Sequence, residues 1–375
     1  MVRFLHTGDW QLGMTRAFLT DEAQARFGAA RLEAVREIGR VAQREGCAFV
    51  LVCGDVFESN HLDRQVLLRA LDVMGGLGLP VYLLPGNHDP LDAGSLFTSP
   101  EFARARPANV TVLDRAGAWP VAPGVELVTA PWTSKRPLRD LVAAACEDLR
   151  ADGTVRVVAG HGCVDVLSPD ADDPAVIGLA PLERALADGR VHYVALGDRH
   201  SLTELGAGGR VRYAGAPEPT DFDEVAPGHV LVVDVDARDC RAEAHPVATW
   251  RFAQPEPFAL RDADDVSVLA TWLAEQPDKE RCAVRLRLVG SLGLRDMALL
   301  DDVLDRHREL FASLRVWERH SDLALLPEED DLAELELAGF AADAVGDLRA
   351  AAEGGADAAQ DALALLYRLH RGAAA

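Results

Sequence analysis

The chain has 375 residues, of which 49% are hydrophobic and 26% charged, and a net charge of −22. That length suits one large domain with one or two smaller ones, and that composition is typical of an ordinary soluble protein. No run of about 18 apolar residues occurs, so no membrane-spanning helix is expected, and a nucleic-acid partner would have to be met by local arginines, bound cations or a partner subunit, because the overall field repels it.

In chain order, the apolar run 3–8 reads as a strand that breaks at Gly8-Asp9-Trp10-Gln11. An amphipathic helix is expected over 21–45, opened by Thr20 or Asp21 and closed by Gly46. Strand 48–53 then runs into Gly54-Asp55-Val56-Phe57, helix 63–77 follows, and strand 80–84 leads into Gly86-Asn87-His88-Asp89. Further strands are expected at 110–113, 125–130, 155–160, 191–196, 211–214 and 229–235, with helices at 137–150 and 181–188. Strand 155–160 ends at Gly160-His161-Gly162, and strand 191–196 at Gly197-Asp198-Arg199-His200. Alternating strands and helices predict an α/β fold, a layered sandwich of central sheets flanked by helices, over residues 1–253. The composition shifts at Gln254-Pro255-Glu256-Pro257, and 258–325 reads as a small α+β cap with helix 265–275, strand 282–288 and helix 296–313. The charged stretch 326–331 reads as a linker, and 331–372 as a pair of helices, 332–351 and 357–370, able to pack on their own chain or on a partner. Six scattered cysteines without a Cys-x-x-Cys pair fit reduced thiols, and an N-terminus running straight into the first motif leaves no room for a cleaved signal, so a cytoplasmic location is expected.

The five glycine-bearing motifs, each closing a strand, gather Asp, Asn and His side chains on one sheet edge, where ligands collect in such folds. That set of residues can hold two divalent ions. Asp55 is the expected bridge, since Gly54 before it allows close backbone approach. Asp9 would bind the first ion with Gln11 and His200 beside it, and Asn87, His161 and Asp198 would complete the second. Such ions hold phosphate oxygens and make a water nucleophilic at neutral pH, which points to phosphoester hydrolysis. His88 is the candidate to stabilise the transition state or protonate the leaving alkoxide, with Asp89 orienting its imidazole.

In this order the motifs resemble the calcineurin-like metallophosphoesterase superfamily. Within it, Phe4-Leu5-His6-Thr7-Gly8-Asp9-Trp10-Gln11-Leu12-Gly13 looks like the opening of the DNA double-strand-break repair nucleases of the SbcD type. Gly54-Asp55-Val56-Phe57, Ala195-Leu196-Gly197-Asp198-Arg199-His200 and the turn Tyr213-Ala214-Gly215-Ala216-Pro217-Glu218 extend that resemblance over roughly residues 1–250. The resemblance implies a manganese-dependent DNA exonuclease or endonuclease. It also implies a cap that shapes the DNA site, C-terminal helices that dock on an SMC-like ATPase of the SbcC type, and a homodimer.

Three positions depart from that pattern: Gln11 stands where the family has His, Asp198 where it has the first His of Gly-His-x-His, and Glu58 where His or Asp is common. Gln and Asp are both competent oxygen ligands. Five oxygen donors (Asp9, Gln11, Asp55, Asn87 and Asp198) against two imidazoles (His161 and His200) therefore describe a retuned site preferring manganese or magnesium. Two other functions remain open at this stage, a phosphodiesterase acting on a small nucleotide and a weakly catalytic scaffold for the ATPase. His6 and His192 read as structural, and Cys163 as a buried inert thiol. Arg199, between two expected ligands, is placed to reach a substrate phosphate. The pairs Arg104/Arg106, Arg136/Arg139 and Arg210/Arg212 read as solvated surface or as a track for a nucleic-acid backbone.

Overall fold

Alternation along the short strands decides which layer each side chain enters. A computed structural model describes residues 1–170, 172–325 and 340–354, together with 356, 358, 359, 362, 363, 365 and 366. These fall into two units, Met1–Ala17 with Gln24–Arg251, and Phe18–Ala23 with the described residues from Phe252 onward.

In chain order the first elements are β1 (Val2–Thr7), α1 (Asp21–Arg44), β2 (Val50–Cys53), α2 (Arg64–Gly75) and β3 (Val81–Leu84). There follow α3 (Pro100–Ala105), β4 (Val110–Val112), β5 (Gly117–Ala122), β6 (Val125–Thr129), α4 (Leu141–Cys146) and β7 (Val155–His161). The unit is completed by α5 (Leu179–Ala187), β8 (Tyr193–Gly197), β9 (Thr203–Leu205), β10 (Val211–Tyr213), β11 (His229–Val235) and β12 (Cys240–Pro246). Two six-stranded sheets result, ordered β12-β11-β1-β2-β3-β4 and β5-β6-β7-β8-β10-β9. In the first, β1, β2 and β3 are parallel neighbours; in the second, β6, β7 and β8 are.

Phe4, Leu51, Cys53 and Leu84 of the first sheet share one core with Leu127, Val157, Ala159, Tyr193 and Ala195 of the second, so the sheets pack face to face. Their neighbours in sequence point the other way: Leu5, Val50, Val52 and Leu83 meet Val35, Ile38 and Leu71 of α1 and α2. On the far side Val158, Val194 and Leu196 meet Val142 and Leu182 of α4 and α5. A strand buried on both faces reads as an unbroken apolar run, which is why these strands stand out in the sequence. Among the described residues no helix is long and apolar enough to cross a membrane.

After β13 (Arg251–Ala253), the second unit holds β14 (Phe258–Leu260), α6 (Ala263–Glu275), β15 (Cys282–Leu286), β16 (Leu288–Leu292), α7 (Leu294–Arg308), β17 (Ser313–Val316) and β18 (Asp322–Leu325). Two three-stranded sheets are ordered β13-β15-β17 and β14-β16-β18. The expected single strand 282–288 is two strands, because the chain leaves one sheet at Leu286 and enters the other at Leu288. The expected helix 296–313 stops at Arg308, and Ser313 pairs with Ala283 instead. A helix at Phe340–Glu353 sets Val345 and Ala352 against Leu294, Ala298 and Leu325 of the same chain, while Phe340 is 88% exposed. Ala359 and Leu363 of the second expected helix join the same cluster, with Leu366 packed against it, while Leu332, Leu335 and Leu369 lie outside the described residues.

Candidate metal centre

The five motifs meet at one end of the two facing sheets, three from the first sheet and two from the second, where a single sheet edge was expected. Asp9 and Gln11 follow β1, Asp55 follows β2, and Asn87 and His88 follow β3, while His161 closes β7 and Asp198 and His200 follow β8. The turns after β1 and β2 are zipped together by their backbones: Asp9 N donates to Gly54 O at 3.0 Å, Gln11 N to Asp55 O at 2.8 Å and Leu12 N to Val56 O at 3.0 Å. Glycine makes the other approaches possible. A Cβ on Gly54 would fall 2.0 Å from His161 Nδ1, and one on Gly197 1.8 Å from Cys53 O.

Asp9, Gln11, Asp55 and Asp198 adopt positive φ values of 53°, 42°, 49° and 94°, four of the six non-glycine residues that do so among the described residues. Left-handed backbone is costly for such residues and collects at functional sites, where the surrounding structure enforces it. Here the strain falls on candidate ligands.

Asp55 Oδ1 accepts from His88 N at 2.9 Å and lies 3.4 Å from His161 Nε2, whose ring is fixed by Nδ1 on Cys53 O at 2.9 Å. Asn87 Oδ1 stands 2.7 Å from His161 Nε2, and the amide group lies 3.2 and 3.1 Å from the two Asp55 oxygens. Asp198 Oδ1 is 3.7 Å from the same imidazole nitrogen. On the other side Asp9 Oδ1 accepts from Asp198 N at 2.9 Å and faces His200 Nε2 at 4.0 Å, with Gln11 Nε2 3.2 Å from that nitrogen. Asp9 Oδ2 and Gln11 Oε1 are buried without a hydrogen-bond partner. Donor atoms of Asp9, Asp55 and His161 all lie within 4.8 Å of one another.

These lone pairs converge with too few protons between them. Burial raises the Asp9 carboxyl to about 6, against the opposing pull of His200 and His161. Burial favours a neutral His161, but Asp55, Asp198 and Asp9 outweigh it and lift the ring to about 9. Burial also raises Asp198. A divalent cation satisfies such a set of buried oxygens and imidazole nitrogens, and the residues present fit one.

One expected role changes. Asp89 does not orient His88: it is fully buried and accepts from Gly86 N at 2.8 Å and Phe57 N at 3.0 Å, tying the β3 turn to the β2 turn. His88 Nδ1 is instead 2.9 Å from the backbone carbonyl of Glu58, whose own carboxylate is raised by burial and has one buried oxygen unpartnered. Arg199 sits beside the site with Nε donating to Thr203 Oγ1 at 2.8 Å, and forms no ion pair among the described residues.

His6, on Tyr193 and Leu196, and His192, on Arg156, are structural. Cys163 is half-buried where full burial was expected, and burial raises its thiol. The expected helix 137–150 is only Leu141–Cys146, because Asp140 caps Val142 N and Ala143 N and leaves 133–139 as a loop.

Sequence reasoning missed the supports behind the ligands. Thr220 and Glu224 hold His200 Nδ1, Tyr213 braces the turn after His161 through Gly162 O, and Trp132 Nε1 donates to His161 O. Buried Arg31 donates to the carbonyls of Trp10 and Pro219, clamping the loops that carry Gln11 and Thr220. Glu224 lies in an acid-rich run with no local feature to rank it, and Arg31 is one of many arginines on α1.

Two facing sheets with helices outside, and one end lined by Asp, Asn and His, are the architecture of a metallophosphoesterase. The calcineurin-like phosphoesterase family model matches residues 2–202, and the chain belongs to that family. Over 277 residues it is 28% identical to the D subunit of the SbcCD nuclease of Rhodobacter capsulatus, covering 62% of this chain and 66% of that protein. It is also 28% identical over 259 residues to the D subunit of the SbcCD nuclease of Escherichia coli K12, covering 60% and 62% respectively. The matched region thus spans just under two thirds of these curated relatives. The crystal structure of TT1561 from Thermus thermophilus is similar at 13% identity and a TM-score of 0.41, over 66% of this chain and 99% of that one.

Proposed function

We propose that the chain is a two-metal DNA phosphodiesterase of DNA repair, an exonuclease or endonuclease, that works as a homodimer with an SMC-like ATPase of the SbcC type. The names of the similar nuclease subunits support the substrate and the partner. The observation that carries the chemistry is the convergence of buried acceptors at Asp9, Gln11, Asp55 and His161, with half-buried Asn87 beside His161 and orphaned oxygens on Asp9 and Gln11.

In this reading Asp9, Gln11, Asp55 and His200 would hold one ion and Asp55, Asn87, His161 and Asp198 the other. Five oxygen donors favour manganese or magnesium over zinc. The ions supply charge neutralisation on phosphate oxygens and a water of lowered pKa. The protein supplies the rest. His88, its side chain 38% exposed, is held through Nδ1 at the Glu58 carbonyl, with Nε2 3.9 Å from Asp55 Oδ2. A proton on that nitrogen is the one available to the leaving alkoxide. Asp89 acts by holding the two turns together, and the terminal nitrogens of Arg199 are available to a phosphate oxygen.

The test is manganese-dependent cleavage of end-labelled linear DNA by the purified chain and by its His88→Ala variant. Cleavage by the parent, reduced roughly 100-fold or more in the variant, is the expected result. A parent that turns over a small phosphodiester and leaves DNA intact would move the assignment to a small-molecule phosphodiesterase. Stoichiometric zinc in the purified protein, with no gain from manganese, would overturn the metal preference.

A further inference from the structure

A chain with a net charge of −22 needs a local device to hold a polyanion, and one stands beside the metal centre. The segment after β6 reads Thr133-Ser134-Lys135-Arg136-Pro137-Leu138-Arg139 and includes one of the two lysines in the whole chain. Its three cationic side chains are exposed, Pro137 is buried, and Leu138 is 87% exposed, among the most exposed large apolar side chains described. No carboxylate lies within ion-pair distance of Lys135, Arg136 or Arg139 among the described residues. Several arginines elsewhere are neutralised, as in Arg40 with Glu37, Arg156 with Glu126 and Asp152, and Arg212 with Glu204. The acid next in sequence, Asp140, is spent on backbone: its two oxygens accept from Val142 N, Ala143 N and Gly178 N.

The loop is fixed to the site at its root. Trp132 donates through Nε1 to His161 O at 2.7 Å and through its backbone to Pro85 O at 3.2 Å, and its carbonyl accepts from Leu91 N at 2.8 Å. It thereby grips the peptide of a candidate ligand and both sides of the Asn87-His88 turn. Lys135 lines a concavity of about 270 Å³ with Ser59, Asn60 and His61, which directly follow Glu58, and with Asp92, one of whose oxygens accepts from Asn60 Nδ2 and Gly94 N.

We propose that the loop Thr133–Arg139 grips the backbone of a nucleic-acid strand beside the metal centre, an inference that rests on the DNA reading above. Lys135, Arg136 and Arg139 take phosphates flanking the one at the metal centre, and Leu138 lies against a sugar or base. From Lys135 to Arg139 the chain spans at most about 14 Å, the axial rise of about four nucleotides at ~3.4 Å each. A substrate with a single phosphate cannot use such a row of cations. The loop therefore selects for length.

The experiment measures binding of a labelled oligodeoxynucleotide by fluorescence anisotropy across a salt series, with manganese present, in the His88→Ala background so that bound DNA stays intact. Replacing Lys135, Arg136 and Arg139 together with alanine is expected to weaken binding roughly tenfold or more. It should also flatten the slope of log affinity against log salt by about 2 to 3, at ~0.9 for each duplex phosphate no longer neutralised. The charge-preserving Arg136→Lys/Arg139→Lys double variant is expected to keep the parent slope. An alanine variant with the parent's affinity and slope overturns the loop assignment and leaves the nuclease reading standing. An unsubstituted chain that hydrolyses bis(p-nitrophenyl) phosphate but neither binds nor cuts DNA overturns both.

Discussion

At His200 the ring nitrogen turned away from the site, Nδ1, meets Thr220 Oγ1 at 2.6 Å and Glu224 Oε1 at 3.0 Å, and Glu224 also accepts from Thr220 N at 2.9 Å. An ionised carboxylate only accepts, so this pair fixes the proton on Nδ1 and leaves the Nε2 lone pair facing Asp9 and Gln11. Supports of this kind typically contribute 10- to 100-fold to metal affinity. Glu224→Ala is therefore expected to weaken manganese binding by about that factor in a calorimetric titration of the full chain; an unchanged isotherm would make Glu224 a bystander. His6 supplies a different handle. Burial lowers its pKa from 6.5 to about 3, so the folded protein keeps the ring neutral while the unfolded chain takes a proton. Its contribution is therefore whole above pH 6.5 and falls as pH drops toward 3, by about 1.4 kcal/mol per pH unit. Urea unfolding at pH 7.5 and 5 should show this loss in the parent and less of it in His6→Phe; equal slopes would place the acid sensitivity elsewhere.

At the scale of the element, glycines of opposite meaning give paired predictions. Gly197 ends β8 against the β2 backbone, and a Cβ there would fall 1.8 Å from Cys53 O and 2.9 Å from His161 Nδ1. Gly197→Ala must push the sheets apart and should cost about 3 kcal/mol or more. Gly28 lies inside α1 with nothing within 4 Å of its missing Cβ. Gly28→Ala should stabilise by roughly 0.5–1 kcal/mol, since alanine is the better helix former. Thermal melts of the two variants decide both, and a neutral Gly197→Ala would contradict the close approach. The same local physics explains what could be read in advance. Strands buried on both faces and punctuated by glycine, such as Val50–Cys53 before Gly54, are visible in one sequence. The half-exposed edge strand Cys240–Pro246 and the strand Gly117–Ala122, which contains Pro120, carry no such signal. The helix that stops at Arg308 is followed by Leu310, Phe311 and Ala312 with no glycine or proline, so only pairing with β15 reveals the change. Likewise the candidate ligands stand out as strand-closing polar residues. Glu224 and Arg31 act through partners about 20 and 190 residues away in sequence, a separation that no local pattern encodes.

For the whole molecule, a cluster of buried carboxylates makes the fold and its ions interdependent. A ligand that binds only the native state adds about 2.7 kcal/mol at a hundredfold excess over its dissociation constant. Manganese should accordingly raise the melting midpoint of chelator-treated protein by roughly 5 to 10 °C for a unit of this size. A midpoint indifferent to manganese would count against an ion among these residues. The sheet order has a consequence in time. β1 is made well before one of its two flanking partners, β11, which pairs with it in register from Val2↔Val235 to His6↔Leu231. About 220 residues separate them, so at ~5–20 residues per second a ribosome leaves that side of Val2–Thr7 without its partner for roughly ten to forty-five seconds. Through that interval the strand that ends at the first metal-site turn offers an open, apolar template to any neighbouring chain.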